Sequence, residues 1–315
     1  MARRRKKKKN KLINTILTVL FVAILVYYKD DIDLDKILTS AKEIIAEKTE
    51  KEVSKPQKVE NLTGLEVQYI DVGQADAILI RDNGENMLID AGNNEDGEKL
   101  VTYFKSLGIT RFKYIVGTHP HEDHIGGLDN VINSFSLNKF FMPDVYTTTK
   151  TFEEVLDALD AKNKPASIPT INKVYKLKDA TFRVVHYGKD KEDLNNDSII
   201  IHMVYGNTRF LFTGDAEISA EKEILNSDIK SDVLKLGHHG STFSTSNDFL
   251  YRVNPKYAVI SVGKDNDYHH PHLGTLRKLD KNNIKYYRTD EQGTIIVKSD
   301  GNKIKIETRK TDTNG

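Results

Sequence analysis

Ten consecutive residues, Thr118-His119-Pro120-His121-Glu122-Asp123-His124-Ile125-Gly126-Gly127, restrict what this chain can fold into more than any other stretch. Three histidines and Asp123 fall within six positions, directly after the mostly apolar run 112–116, which reads as a buried strand. Neutral imidazole nitrogens and carboxylate oxygens are the ligands that zinc and related metals prefer. A ligand-dense loop at the carboxyl end of a strand is also where α/β sheets place their chemistry. His119 and His121 alternate, so in an extended segment they point the same way. Asp123 and His124 come after the chain has begun to turn and can face a second point nearby. The spacing predicts one loop serving two metal ions side by side. A histidine-rich surface loop would not need four ligand side chains to coincide at a strand end.

The rest of the chain frames that loop. The formal net charge is +1, but residues 1–11 hold eight Lys/Arg and no acid, so the remaining residues carry −7. Residues 12–28 contain no charge and end on Tyr27 and Tyr28, followed by Lys29-Asp30-Asp31. As a helix they would span about 25 Å, at the short end for a bilayer. Basic residues favour the cytoplasmic side and tyrosines the interface. The expectation is an uncleaved single-pass anchor with its N-terminus in the cytoplasm and the remainder outside the cell. A cleaved signal peptide is the rival, but no small-x-small site follows the apolar run. There are no cysteines, so disulfides and thiolate metal ligands are excluded, and any metal must be held by His and Asp.

Residues 33–53 carry Leu34, Ile37, Leu38, Ala41, Ile44, Ile45 and Ala46 at helical spacing and predict a stalk helix; 54–61 reads as a linker. Strands are expected at 65–70, 77–80, 87–90, 112–116 and 139–142, with two more within 174–185. Further strands are expected at 198–205, 209–213, 232–236, 257–262, 284–287, 294–298 and 303–308. Helices are expected at 98–107, from Ile125 to Phe135, at 152–159, from a Ser246 cap to Val253, and at 273–279. Gly206-Asn207 and Asp300-Gly301 suit hairpin turns. Strand–helix alternation occurring twice predicts two sheets face to face with helices outside, an α/β αββα sandwich. The chain thereby divides into a basic segment (1–11), an anchor (12–28), a stalk and linker (29–63), the α/β domain (64–309) and a tail (310–315).

Polar clusters recur at these strand ends: Asp90, then His119 to His124, Asp215, His238-His239, and the run Asn266-Asp267-Tyr268-His269-His270-Pro271-His272. Seven of the ten histidines lie near strand ends after Val116, which argues for a shared site rather than scattered surface positions. The spacing H-x-H-x-D-H after a strand resembles the metallo-β-lactamase superfamily, over residues 65–308. Asp71-Val72-Gly73-Gln74-Ala75-Asp76, Asn195-Asn196-Asp197-Ser198, Leu211-Phe212-Thr213-Gly214-Asp215 and Leu234-Lys235-Leu236-Gly237-His238-His239-Gly240-Ser241 are similar to the domain of ComEC-type DNA-internalisation competence proteins. Ala75 stands where glycine is usual, and the multi-span channel of those proteins is absent.

The resemblance implies the same sandwich and a metal-dependent hydrolase, most naturally a phosphodiesterase or nuclease. His119, His121, Asp123, His124 and Asp215 become the expected ligands of two divalent ions, zinc or manganese, with Asp215 between them. Asp215 could otherwise cap a helix starting at Ala216. One of His238 and His239 is expected to complete the Asp123/His124 site; His239 is taken as ligand and His238 as substrate-facing, with the reverse left open. His186 ends a strand where many family members carry a further zinc ligand. His202 lies within an apolar strand and reads as a packed core residue. Asp90, Asp76 and Asn196 are expected behind the ligands. Asp123, His238 and His270 are the expected catalytic side chains, His270 stabilising charge on the substrate. Rival substrates are a cell-envelope phosphodiester of the phosphocholine or teichoic-acid type, or a carboxylic ester or thioester. A tethered binding module with a degenerate site is the non-enzymatic alternative.

Overall fold

The structure is a computed structural model, and it describes residues 64–188 and 193–310. The expected anchor, the stalk, the linker and residues 311–315 of the tail lie outside the described residues. Among the described residues no helix is long and apolar enough to cross a membrane.

Two sheets build the domain. The first contains β1 (Leu65–Tyr69), β2 (Ala77–Asp82), β3 (Glu85–Ala91), β4 (Arg111–Val116), β5 (Ser136–Phe141), β6 (Ala166–Ser167), β14 (Thr294–Ser299) and β15 (Ile304–Arg309). The second contains β7 (Val174–Lys176), β8 (Thr181–His186), β9 (Ile200–Tyr205), β10 (Thr208–Phe212), β11 (Val233–Lys235), β12 (Tyr257–Ile260) and β13 (Lys285–Arg288). Their orders are β15-β14-β1-β2-β3-β4-β5-β6 and β13-β12-β11-β10-β9-β8-β7. In each sheet one half is antiparallel. The other half, β3 to β6 or β10 to β13, runs parallel.

The layers follow from where the apolar faces go. Val67, Ile80, Met87, Met203, Phe210 and Val259 belong to one core between the sheets, and Tyr69 meets Phe212 across it at 6.1 Å between ring centroids. A second core lies between the first sheet and the helices Gly97–Ser106, Leu128–Ser134 and Lys150–Ala161. A third packs Ile218–Ile224, Asn247–Val253 and Leu273–Lys281 on the second sheet. This is the expected αββα sandwich.

Departures from the predicted elements have local causes. The strand expected from Ser198 starts at Ile200, because Ser198 Oγ accepts from Asp215 N and Ile199 N donates to Thr118 O instead of joining a ladder. The alternative in which Asp215 caps a helix from Ala216 does not hold: the helix starts at Ile218 with Glu217 at its N-cap. The Gly206-Asn207 hairpin forms as expected, with Gly206 at φ +57°. The two-residue β6 and the one-turn helix Thr289–Gln292 are too short for periodicity to reveal.

Polar pins tie the sheets together. Asp82 of β2 is fully buried, and its Oδ2 accepts from Asp179 N and Ala180 N, both at 2.7 Å, in the turn before β8. Thr208 Oγ1 and Ser299 Oγ meet at 2.8 Å between β10 and β14. Asp82→Ala would leave the buried Ala180 amide and the half-buried Asp179 amide without an acceptor. It should lower stability by about 2–3 kcal/mol, read from urea unfolding; a loss below about 0.5 kcal/mol would show that the turn is held by other means.

Candidate metal centre

The parallel halves of the two sheets bring their carboxyl-terminal strand ends to one edge of the sandwich. The β4 end supplies His119 to His124, and the β3 end supplies Asp90. The ends of β10, β11 and β12 supply Asp215, His238-His239 and the loop to His270. The motif turns sharply into the short helix Glu122–Ile125. Gly126 and Gly127 make that turn possible: a Cβ on Gly126 would lie 2.3 Å from the Asn93–Asn94 backbone, and one on Gly127 2.5 Å from Ala91 O. Asp76 N donates to Asp123 O at 3.0 Å, which fastens the turn to the segment before β2.

Two groups of ligand atoms result. His119 Nε2 and His121 Nδ1 approach to 3.0 Å. Beside them, Asp123, His124, Asp215 and His239 each offer an atom such that all four lie within 4.8 Å of one another. His124 Nε2 is 3.3 Å from Asp215 Oδ1 and 3.7 Å from Asp123 Oδ2. His239 Nε2 is 3.2 Å from Asp123 Oδ2 and 3.6 Å from Asp215 Oδ2. These are the two pairs expected from the spacing, joined by a carboxylate and an imidazole from the other sheet.

Hydrogen bonds behind the cluster set which ring nitrogen faces it. His124 Nδ1 donates to Asp90 Oδ2 at 2.9 Å, and His239 Nδ1 donates to Ser261 O at 2.9 Å; in both rings Nε2 is the nitrogen turned to the cluster. Thr118 Oγ1 donates to Asp90 Oδ2 at 2.7 Å, so it can accept from His119 Nδ1 at 3.2 Å. Asp90 also receives Thr118 N at 2.8 Å, and it takes up φ +59° to do so. It stands behind His124, on the side away from the cluster. Asp76 does as well, 3.9 Å from His124 Nδ1 and 3.8 Å from His239 Nδ1.

The charges are interdependent. Burial alone would lower His124 and His239, but the Asp215 and Asp123 carboxylates outweigh it and raise both imidazoles. Burial alone would raise Asp123 and Asp215, yet His124 and His239 hold both below the usual carboxylate range. His119 goes the other way, lowered well below its ordinary value by burial and then by His124. The residues fit divalent cations: His124 Nε2 and Asp215 Oδ1 are buried without hydrogen-bond partners, and the donor set is nitrogen and oxygen only.

The remaining expected residues separate. His238 Nδ1 meets Glu217 Oε1 at 3.0 Å, and its Nε2 is 3.8 Å from Asp215 Oδ2. The four-residue group therefore contains His239 and not His238. His270 joins the cavity wall, and burial together with His239, His238 and His272 pushes its pKa to about 4. His186 does not join the group: Nε2 faces Asn196 O at 3.0 Å and Nδ1 faces Glu223 at 3.3 Å, so neither ring nitrogen is free for a metal. Asn196 does not touch the ligands through its side chain. Its Oδ1 accepts from Glu217 N and Ala220 N at the start of the helix Ile218–Ile224, so it acts one step further back, by placing Glu217. His202 is packed in β9, with Nε2 on Lys230 O at 3.2 Å.

Sequence reasoning assigned no role to Thr118, Ser198, Glu217 or Lys235. Ser198 Oγ accepts from Asp215 N at 3.0 Å and lies 3.3 Å from His119 Nδ1. Lys235 is fully buried at the end of β11, with Nζ 2.6 Å from Asp76 Oδ2 and donating to Leu236 O at 2.9 Å. A single charge inside the apolar run Val233-Leu234-Lys235-Leu236 was the available signal, because an unpaired buried ammonium is too costly to persist.

A model of the metallo-β-lactamase superfamily matches residues 70–264. The chain belongs to that superfamily, whose members include metal-dependent hydrolases. Its domain is of the ComEC type: it is 33% identical over 253 residues to ComE operon protein 3 of Bacillus subtilis, an alignment covering 73% of this chain and 32% of that protein. It is 28% identical to recombination protein 2 of Haemophilus influenzae, covering 78% of this chain and 30% of the relative. The chain thus spans less than a third of the length of these relatives. Among solved structures, a variant of the CmlA β-hydroxylase superposes with a TM-score of 0.52 at 12% identity, covering 76% of this chain and 55% of that one. The metallo-β-lactamase fold protein YhfI of Bacillus subtilis superposes with a TM-score of 0.50 at 11% identity, covering 75% of this chain and all of that one. Both show the fold alone.

Two outcomes follow from this geometry. Lys235→Met should destabilise the metal-free protein by about 3–5 kcal/mol by leaving Asp76 buried without a counter-charge. Adding Asp76→Asn should recover most of the loss in the same denaturant melt; no recovery would mean the pair is not the cause. Because the Asp215 and Asp123 carboxylates raise His124 and His239, protons compete with cations for both rings in the metal-free protein. Divalent ions must displace those protons, so binding should release protons and weaken as pH falls, seen as a buffer-dependent enthalpy in calorimetry.

Proposed function

We propose that the chain is a membrane-anchored, extracellular-facing hydrolase that uses two divalent ions to cleave phosphodiester bonds, with DNA as the substrate. The observation that carries the chemistry is the convergence of Asp123, His124, Asp215 and His239 beside the His119/His121 pair. They line or adjoin a cavity of about 390 Å³ that opens to solvent. Similarity to proteins named for competence and recombination supports DNA. The uncharged stretch 12–28 and the basic residues before it support the anchor and its orientation.

His119, His121, Asp123, His124, Asp215 and His239 would hold the ions, zinc or manganese, which when bound supply Lewis acidity and lower the pKa of water towards neutrality. The chain's own residues prepare the reaction around them. Asp90, Thr118 and the Ser261 carbonyl fix the imidazole tautomers before substrate arrives. Asp123, partly open to the cavity, orients the attacking water. His270 is neutral at physiological pH and donates an N–H to a phosphoryl oxygen as negative charge builds. Glu217 holds His238 edge-on to His270, 5.4 Å between ring centroids, where it meets the leaving side of the substrate.

One observation favours a smaller substrate. Among the described residues, the ten that line the cavity include Glu122, Asp123 and Asp215 but no Lys or Arg, whereas long nucleic acids are usually held through phosphate-neutralising cations. A cell-envelope diester is therefore the second reading.

Full-length protein loaded with zinc or manganese should hydrolyse both single-stranded DNA and bis(p-nitrophenyl) phosphate. His121→Ala and Asp215→Ala should each lose at least about 100-fold in kcat with the fold intact by circular dichroism. Cleavage of the small diester alone would move the substrate to the cell envelope. Substantial activity in either variant would remove those residues from the centre. Metal content without turnover of any ester would leave only a binding module.

A further inference from the structure

The cavity mouth carries a feature that metal binding does not explain. Tyr268 lines the cavity and yet is 65% exposed. Its ring stacks on His270 at 5.7 Å and 20° between planes. His270 in turn lies over His239 at 6.3 Å and 28°. Three near-parallel rings therefore run from the mouth to the ligand cluster, with one face of Tyr268 turned to water.

The loop that carries Tyr268 is held firmly. Asn266 Nδ2 donates to Gly263 O at 2.9 Å and to His270 O at 2.7 Å, and Asn266 Oδ1 accepts from His270 N at 3.0 Å. Gly263 N donates to Gln74 Oε1 at 3.0 Å. The carbonyl end of the Gln74 amide is thereby occupied. Its Nε2 is the end left over, on a side chain that also lines the cavity. Gly263 allows this approach, since a Cβ there would lie 2.6 Å from Gln74 N. A pre-positioned aromatic face next to a neutral amide donor suits a ligand with a flat π-surface and an adjoining anionic group.

We infer that Tyr268 and Gln74 form a subsite for one unstacked nucleotide beside the metal centre: the Tyr268 ring stacks the base, and Gln74 Nε2 donates to the adjoining phosphate. The inference rests on the nucleic-acid reading above and answers the lack of Lys and Arg among the described residues that line the cavity. Base–aromatic stacking is sequence-tolerant and contributes affinity that does not depend on a basic groove. A base paired in a duplex has both faces covered and cannot use the ring, so the subsite selects single strands.

The test uses full-length protein stripped of metal, so that binding is read apart from turnover. Fluorescence anisotropy compares a single-stranded oligothymidylate with an abasic deoxyribose-phosphate strand of the same length and charge. Wild type should bind the base-bearing strand about ten-fold more tightly. Tyr268→Ala should abolish that preference, and Tyr268→Phe and Tyr268→Trp should keep it. Gln74→Glu should weaken both strands together. Equal affinity of the wild type for the two strands, or a preference that survives Tyr268→Ala, overturns the subsite. A preference lost in Tyr268→Phe would assign the effect to the hydroxyl and overturn stacking. If the metal-loaded protein still hydrolyses DNA in those cases, only the subsite falls; if DNA is neither bound nor hydrolysed, the nuclease reading falls with it.

Discussion

Carboxylates gathered in a protein interior repel one another and lose their hydration, so they persist only where cations or donors compensate them. Asp76, Asp90 and Asp215 are all buried at one edge of this sandwich, with Asp123 beside them. The surrounding structure is arranged around that constraint. Asp90 takes three donors, from Thr118 N, Thr118 Oγ1 and His124 Nδ1. Asp76 takes the ammonium of Lys235. Asp215 faces imidazoles, with His124 Nε2 at 3.3 Å and His239 Nε2 at 3.6 Å, which hold it below the usual carboxylate range. The carboxylate compensated by imidazoles alone is thus the one positioned to meet a divalent cation.

The sandwich makes this arrangement possible by bringing loops from both sheets to one edge. Each sheet switches from antiparallel to parallel pairing, and the carboxyl ends of the parallel strands meet. In open α/β sheets that edge is where side chains from separate loops converge. The price in backbone freedom is visible at the residues that turn there: Asp90, His238, His239 and His269 all have positive φ. Non-glycine residues adopt this conformation only when their surroundings fix it. For His239 the fixing contact is Nδ1 on Ser261 O, which also sets the tautomer.

The cavity wall that continues from His239 is built differently. Asn266, Gly263 and Gln74 form a hydrogen-bonded staple that carries His270 and Tyr268 without any charged side chain. One wall is therefore electrostatic and the other is neutral and aromatic. That asymmetry suits a substrate with one anionic reacting centre and a flat, uncharged neighbour. It also makes His270, with its depressed pKa, a hydrogen-bond donor to the substrate rather than a competing cation.

Much of the centre was legible without coordinates. The two pairs within His119 to His124 are local, because spacing along a strand and loop sets them; Asp215 and Asp90 were legible as strand-end carboxylates, and their roles beside the histidines came from the family resemblance. The sandwich itself could be read from alternating apolar runs, because apolar faces must be buried wherever the chain runs. Four things were decided only by the tertiary structure. It placed His239 rather than His238 in the ligand group, spent both ring nitrogens of His186 on Asn196 and Glu223, turned Asn196 into a helix cap, and paired Lys235 with Asp76. Each depends on which strand or loop lies beside which. Neighbouring residues with the same chemistry, such as His238 and His239, cannot be told apart until the opposite sheet supplies their partners.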